Sequence, residues 1–245
     1  MSTPTRAELE AAGRQPDGSR ADQAGSGRPR RGGYFGDVAA LAWKDIRIEW
    51  RSRDTLPAMA LFVLSTMTIF HFALPSGSSD RAAQGMLWVS ILFTALLGLT
   101  RTYAPEREQG MFDGLLLSPV DRSAIWLAKT IAAMAFLGAV EVVALLAFWL
   151  FFDPVSGGML GAVVLADIGL CAVGALAAAM ATASRSRELI LPLLLLPLTI
   201  PVVVGAVGAS VGDGAGKYLA FLAIYDAIFA IVAWATFEYV VAESP

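Results

Sequence analysis

The chain alternates on a long scale between apolar runs and short polar stretches. Six apolar runs fall at about 57–74, 86–104, 124–152, 159–183, 189–211 and 218–240. Each reaches the roughly 17–25 residues that an α-helix needs to cross hydrocarbon. The third is long enough to tilt or to begin in the interface. The pattern predicts an all-α polytopic membrane protein with six transmembrane helices.

Two shorter stretches have a helical, one-sided pattern instead. From Phe35 onward, Trp43, Ile46 and Trp50 recur at i, i+3 and i+7, with Lys44, Arg47 and Arg51 as an adjacent basic stripe. Tryptophan and cations along one helix predict an amphipathic helix lying in the interface plane. It serves as a juxtamembrane anchor, as a partner-binding surface, or as both. Arg53-Asp54-Thr55 ends it; Asp54 or Thr55 suits the cap of the next helix, and Pro57 its first turn.

The other stretch lies between the second and third runs, from Arg101 to Arg122. A charged front, Glu106-Arg107-Glu108, precedes Met111, Phe112, Leu115 and Leu116 at helical spacing. A short amphipathic helix just outside the bilayer with a free apolar face is suited to docking on another protein. Gly110 and Gly114 would let the chain turn closely against that partner. The segment Glu106–Asp121, including Pro119, is therefore expected to receive a soluble subunit.

Composition agrees with a membrane protein: 56% hydrophobic residues, 16% charged, and a mean hydropathy of +0.63, against about 25% charged in soluble chains. Residues 1–33 differ, being rich in Gly, Ser, Pro, Arg and Asp with no apolar stretch. They read as a disordered, solvated tail, with contact of Arg28, Arg30 and Arg31 with anionic headgroups as the alternative. A signal peptide would need an apolar core. Residues 34–245 form the membrane domain. With the N-terminus inside, sixteen of eighteen Lys and Arg residues fall on the inner side, and only Arg81 and Lys217 lie outside. The positive-inside rule thus puts both termini in the cytoplasm, with Trp88 and Trp149 expected at the outer interface and Trp126 at the inner one. The single Cys171 falls within a span, so there is no disulfide framework.

Catalytic constellations are missing from the sequence. His71 is the only histidine, too few for a metal triad or a Ser-His-Asp arrangement. It offers at most one axial ligand to a heme iron, and a packed interfacial imidazole is the simpler reading. No Cys-x-x-Cys-His is present for covalent heme. Gly212-Asp213-Gly214-Ala215-Gly216-Lys217 superficially resembles a phosphate loop, but Val211 stands where its first Gly belongs and Tyr218 where Ser or Thr must follow Lys. It reads as a turn, and any ATP chemistry belongs to another polypeptide.

The fifth run carries Pro192, Pro197 and Pro201, then Gly205, Gly208 and Gly212. Freed carbonyls are tolerated at membrane depth only where neighbours or a cavity satisfy them. A helix followed by short re-entrant pieces is the favoured reading, a kinked helix the alternative. Gly208 and Gly212 also fit a small-xxx-small contact. Three acids, Glu141, Asp167 and Asp226, lie within spans, where such residues usually face the bundle interior or a wet cavity. Capping, pairing with a hydroxyl, remaining protonated and contact with a substrate are open alternatives for them.

Several strings resemble one known family: Lys44-Asp45-Ile46-Arg47-Ile48-Glu49, Arg51-Ser52-Arg53, Glu106-Arg107-Glu108-x-Gly110, and Leu115-Leu116-Leu117-Ser118-Pro119-Val120-Asp121-Arg122 followed by Lys129. Leu191-Pro192-Leu193 through Pro201 also resembles its fifth span. The family is cytochrome c maturation protein B (CcmB), or heme exporter protein B, and the similarity covers about 38–240. The resemblance implies the permease subunit of an ABC transporter in the bacterial inner membrane, not itself an enzyme. It would form a homodimer with two copies of a cytoplasmic ATPase of the cytochrome c maturation protein A type. It would work with a heme-handling membrane subunit and a small tethering protein. Glu106–Asp121 would be the coupling helix and ATP would bind only on the partner, with either heme as the transported substrate or ATP hydrolysis serving only to release a heme-loaded periplasmic chaperone. Nucleic acid is not expected as a partner. A permease for a lipid-linked sugar or a drug would share this architecture. An intramembrane enzyme would need a deep catalytic pair that His71 and the scattered acids do not supply.

Overall fold

The computed structural model describes residues 33–52, 55–75, 80–102, 120–182, 187–211 and 214–242. These residues form seven helices and no strand: α1 Tyr34–Ser52, α2 Thr55–Ala73, α3 Asp80–Thr100, α4 Arg122–Phe151, α5 Gly157–Thr182, α6 Arg187–Ser210 and α7 Ala215–Ala242. The six from α2 to α7 are long and apolar enough to cross a membrane. The predicted tail, residues 1–33, lies almost wholly outside the described residues.

Local chemistry sets several helix boundaries. Pro57 occupies the first turn of α2, where its missing N–H costs nothing. Ser156 caps α5 by accepting the Met159 N–H at 3.1 Å. Gly214, with φ of 103°, opens the turn into α7 and accepts the Lys217 N–H, a backbone conformation that favours glycine. The glycine-rich string around it is thus a turn, as its sequence predicts.

α5 is the central helix. In its apolar stretch 72% of residues are buried, against 17% in α2 and 22% in α7, so the latter two form most of the outward face. Ala162, Ala166, Ala175 and Ala179 on α5 are essentially inaccessible. Small residues let backbones approach where lipid supplies no hydrophobic drive for association. One core cluster lies toward the end remote from α1 and gathers Met67, Leu87, Trp88, Phe148 and Met159. A second, toward the α1 end, gathers Leu99, Ile125, Trp126, Leu195 and Phe237. α1, which is not one of the six long helices, packs on α4, with Val38 and Ala42 against Ala124 and Ala128.

Two expectations are corrected. The fifth span is one continuous helix with Pro192, Pro197 and Pro201 inside it, not a helix with re-entrant pieces. Two side chains bond to its backbone within the proline-bearing stretch: the Tyr225 hydroxyl of α7 donates to the Leu198 carbonyl, and Thr199 Oγ1 donates to Leu196 O; neither is one of the carbonyls, four residues before each proline, that the missing N–H groups free. Gly208 allows α7 to approach, since a Cβ there would collide with the Tyr218 ring.

Trp88 and Trp126 do not form an interfacial belt either. Both are buried, because each indole N–H finds an internal acceptor: Ser210 Oγ for Trp88 and Ala172 O for Trp126, each at 3.1 Å. Trp149 is exposed.

Candidate functional site

Polar side chains collect at two depths of the bundle. The first is the α1 end. Trp43 and Trp50 point outward, 65% and 68% exposed. Ile46 and Lys44 are half-buried, while Arg47 and Arg51 are exposed. α1 therefore presents aromatic and basic groups outward and Val38 and Ala42 inward, the arrangement of a helix resting in an interface.

Asp45, next to the basic stripe, faces inward. Its carboxylate lies 3.0 Å from Lys129 Nζ and 3.1 Å from Lys44 Nζ. Lys129 is 3% exposed and also donates to the Thr102 carbonyl at 3.0 Å. Arg101 Nη1 reaches Thr55 Oγ1 at 3.4 Å, and Arg122 Nη1 reaches the Glu238 carbonyl at 3.4 Å. These bonds tie the starts of α2 and α4 to the ends of α3 and α7.

The sequence pattern did not mark Asp45 and Lys129 as partners. A lysine two turns inside an apolar run, and one acid within a basic stripe, were the available signals. Of the residues expected to couple to a soluble subunit, Asp121 takes the N-cap position of α4. Its carbonyl accepts the Ala124 N–H at 2.9 Å, with no side-chain cap bond. Glu106, Arg107, Glu108, Gly110, Met111, Phe112, Gly114, Leu115 and Pro119 lie outside the described residues.

The second locus is at mid-bundle. Glu141 on α4, Asp167 on α5 and Asp226 on α7 are all buried. The carboxyl groups of Glu141 and Asp167 face each other, Glu141 Oε1 and Asp167 Oδ1 have no hydrogen-bond partner among the described residues, and Asp167 Oδ2 lies 3.7 Å from where a Cβ at Gly138 would stand. A bond between two carboxyls needs a proton on one of them. The sequence held a signal for this pair: both residues are thirteen positions from Pro154, the middle of the short α4–α5 connection, so antiparallel neighbours bring them to one depth.

Asp226 packs instead against the backbone of α5 at Gly169, where any side chain would collide with its carboxyl group. Neither carboxyl oxygen of Asp226 has a hydrogen-bond partner among the described residues.

His71, at the far end of α2, has its ring 5.2 Å from that of Phe151 and 5.6 Å from that of Phe152. Among the described residues no three His, Cys, Asp or Glu side chains gather as a metal site.

A family model described as "CcmB protein" matches residues 37–242, which takes in nearly all of α1 and all six long helices. The chain belongs to the CcmB family. It is 28% identical to heme exporter protein B of Paracoccus denitrificans over 162 residues, 64% of this chain and 74% of that protein. It is 29% identical to the protein of the same name from Rhodobacter capsulatus over the same shares. It is also 29% identical to that of Escherichia coli over 90 residues, 36% of this chain and 41% of the relative. In this CcmB-family member, six membrane-length helices and a separate amphipathic helix describe a multi-pass membrane protein.

Proposed function

We propose that this chain is the membrane subunit of an ATP-driven transporter that handles heme for c-type cytochrome assembly. The observation that carries the reading is the family match over 37–242, which takes in all six long helices of the described residues. The relatives' shared name, heme exporter protein B, supplies the substrate class. The chain carries no P-loop of its own, so ATP hydrolysis is assigned to a separate cytoplasmic ATPase of the cytochrome c maturation protein A type. A homodimer, a heme-handling membrane subunit and a small tethering protein complete the proposed assembly. The concentration of Lys and Arg on one side favours a cytoplasmic N-terminus in the bacterial inner membrane. α1 and Glu106–Asp121 then face the ATPase, and the chain itself catalyses no reaction.

Deletion of the gene tests the reading. The deletion strain is expected to make apo-cytochromes c without attached heme while its b-type cytochromes persist, as heme-stained gels would show. Normal holo-cytochrome c in that strain would overturn the assignment and favour a permease for another substrate.

A further inference from the structure

Lys129 is a buried cation at a junction of three helices. It lies seven residues into α4, about 10 Å along the axis from Arg122. Side chains on a helix lean toward its N-terminus, so the ammonium is carried back toward the α1 end. There it holds Asp45 Oδ2 of α1 and the Thr102 carbonyl, both at 3.0 Å. Thr102 closes the turn that follows α3, its N–H bonded to Leu99 O. The last carbonyls of a helix have no partner within it and carry the negative end of its dipole. An ammonium is a fitting cap for them.

Apart from this bond, α1 and α3 have little in common. α1 packs on α4 and touches α2 slightly, and it has no extended contact with α3. A cavity of about 50 Å³, lined in part by Asp45, Glu49, Met59, Gly98, Arg101 and Lys129, occupies the space where apolar packing would otherwise join them. The ion pair with Asp45 alone would only repeat an anchorage of α1 to α4 that Val38, Ala42, Ala124 and Ala128 already provide. The Thr102 bond adds the turn that ends α3, a helix that also packs directly on α4, so that one ammonium joins α1 and the end of α3.

We propose that Lys129 is a positioning residue: held by Asp45 and by the Thr102 carbonyl at once, it fixes α1 to the end of α3, so that displacement of either moves the other. Its functional meaning rests on the reading that a cytoplasmic ATPase pushes on this face. The ATPase would then meet one mechanical unit and not two independent helices.

Spin labels on cysteines introduced at Ala40 and Thr100, both exposed, in a Cys171→Ala background, read the α1–α3 distance in lipid. The native permease is expected to give a narrow distribution that is unchanged by the ATPase and nucleotide. Lys129→Met, which keeps the side chain's length and removes its charge, is expected to broaden it. Permease-stimulated ATP hydrolysis should fall at least about fivefold, the lower end of coupling between linked sites. Lys129→Arg should restore both. An unchanged distribution in Lys129→Met overturns the proposal. Should that variant fail to fold, Asp45→Asn gives the same comparison, and an unchanged distance there overturns it equally. Failure of the native permease to bind the ATPase would refute the proposed function, while the distances in the permease alone would still decide the tether.

Discussion

Trp88→Ala is expected to destabilise the bundle by about 2–3 kcal/mol. Trp88 is 1% exposed at the contact of α3 with α6. Its indole donates to Ser210 Oγ at 3.1 Å, and Ser210 in turn donates to Ala206 O at 2.8 Å. In a water-soluble core, Trp→Ala costs about 3–5 kcal/mol, part from lost transfer out of water and part from the cavity left behind. Within a bilayer the transfer part largely cancels, because lipid tails are as apolar as the core. The cavity remains, with one intramembrane hydrogen bond worth about 0.6 kcal/mol on average. Trp88→Phe fills most of the space and should cost about 1 kcal/mol. A double-mutant cycle with Ser210→Ala should return a coupling of about 0.6 kcal/mol.

The protein carries its own reporter for this measurement. Cys171 is the only cysteine and is fully buried, so a fluorogenic thiol reagent labels it only when the bundle opens. For 150–250 residues, each kcal/mol moves a melting midpoint by about 2–4 °C, so Trp88→Ala should melt about 4–12 °C lower at a fixed heating rate. A shift under about 2 °C would place the indole outside the core, where an interfacial belt would have it.

Three further outcomes follow from the sequence and the fold. Cysteines replacing Arg81 and Lys217 in a Cys171→Ala background should react with an impermeant reagent in intact cells, and ones at 107 or 185 should not; the reverse would invert the proposed orientation. Glu141→Gln keeps the shape of the side chain and can donate to Asp167, so its thiol-reactivity midpoint should stay near the native one, whereas Glu141→Ala should cost about 1–3 kcal/mol; equal midpoints would remove the pair from the bundle's energetics. Phe112→Asp should abolish co-purification of the ATPase while Arg107→Ala leaves it nearly intact, because exposed rim charges are worth about 0–1 kcal/mol and apolar anchors more. Full recovery with Phe112→Asp would leave Glu106–Asp121 a mere connector.

The six spans were legible because length and hydropathy alone decide them, and α1 because its polar and apolar residues fall on different faces. The rotation of each long helix was not legible. A helix that is apolar all round gives no sign of which face is inside, so the positions of Trp88 and Trp126 predicted a depth but not a direction. The path of α6 was hidden for another reason. Tyr225, whose hydroxyl donates to the Leu198 carbonyl within the proline-bearing stretch, lies twenty-seven residues away from it on another helix. The Asp45–Lys129 pair is more distant still, and no short turn relates its two helices.

The two polar loci cannot neutralise each other. Glu141 lies twelve residues beyond Lys129 on α4, about 18 Å along the helix, so the ammonium does nothing for the mid-bundle carboxyls. Each locus must be satisfied locally, since a polar group without partners at membrane depth costs several kcal/mol. Lys129 has Asp45 and the Thr102 carbonyl, and Glu141 faces Asp167, with one oxygen of each lacking a hydrogen-bond partner among the described residues. Asp226 has only the close approach of Gly169, so its retention is not explained by hydrogen bonding within the described residues. What joins the loci is the hydrogen-bonded backbone of α4, which carries both Lys129 and Glu141 on one thirty-residue helix. Asp167 belongs to α5. A rigid shift of α4 at the α1 end would therefore move one carboxyl of the pair against the other, and their apposition is what such a shift would change.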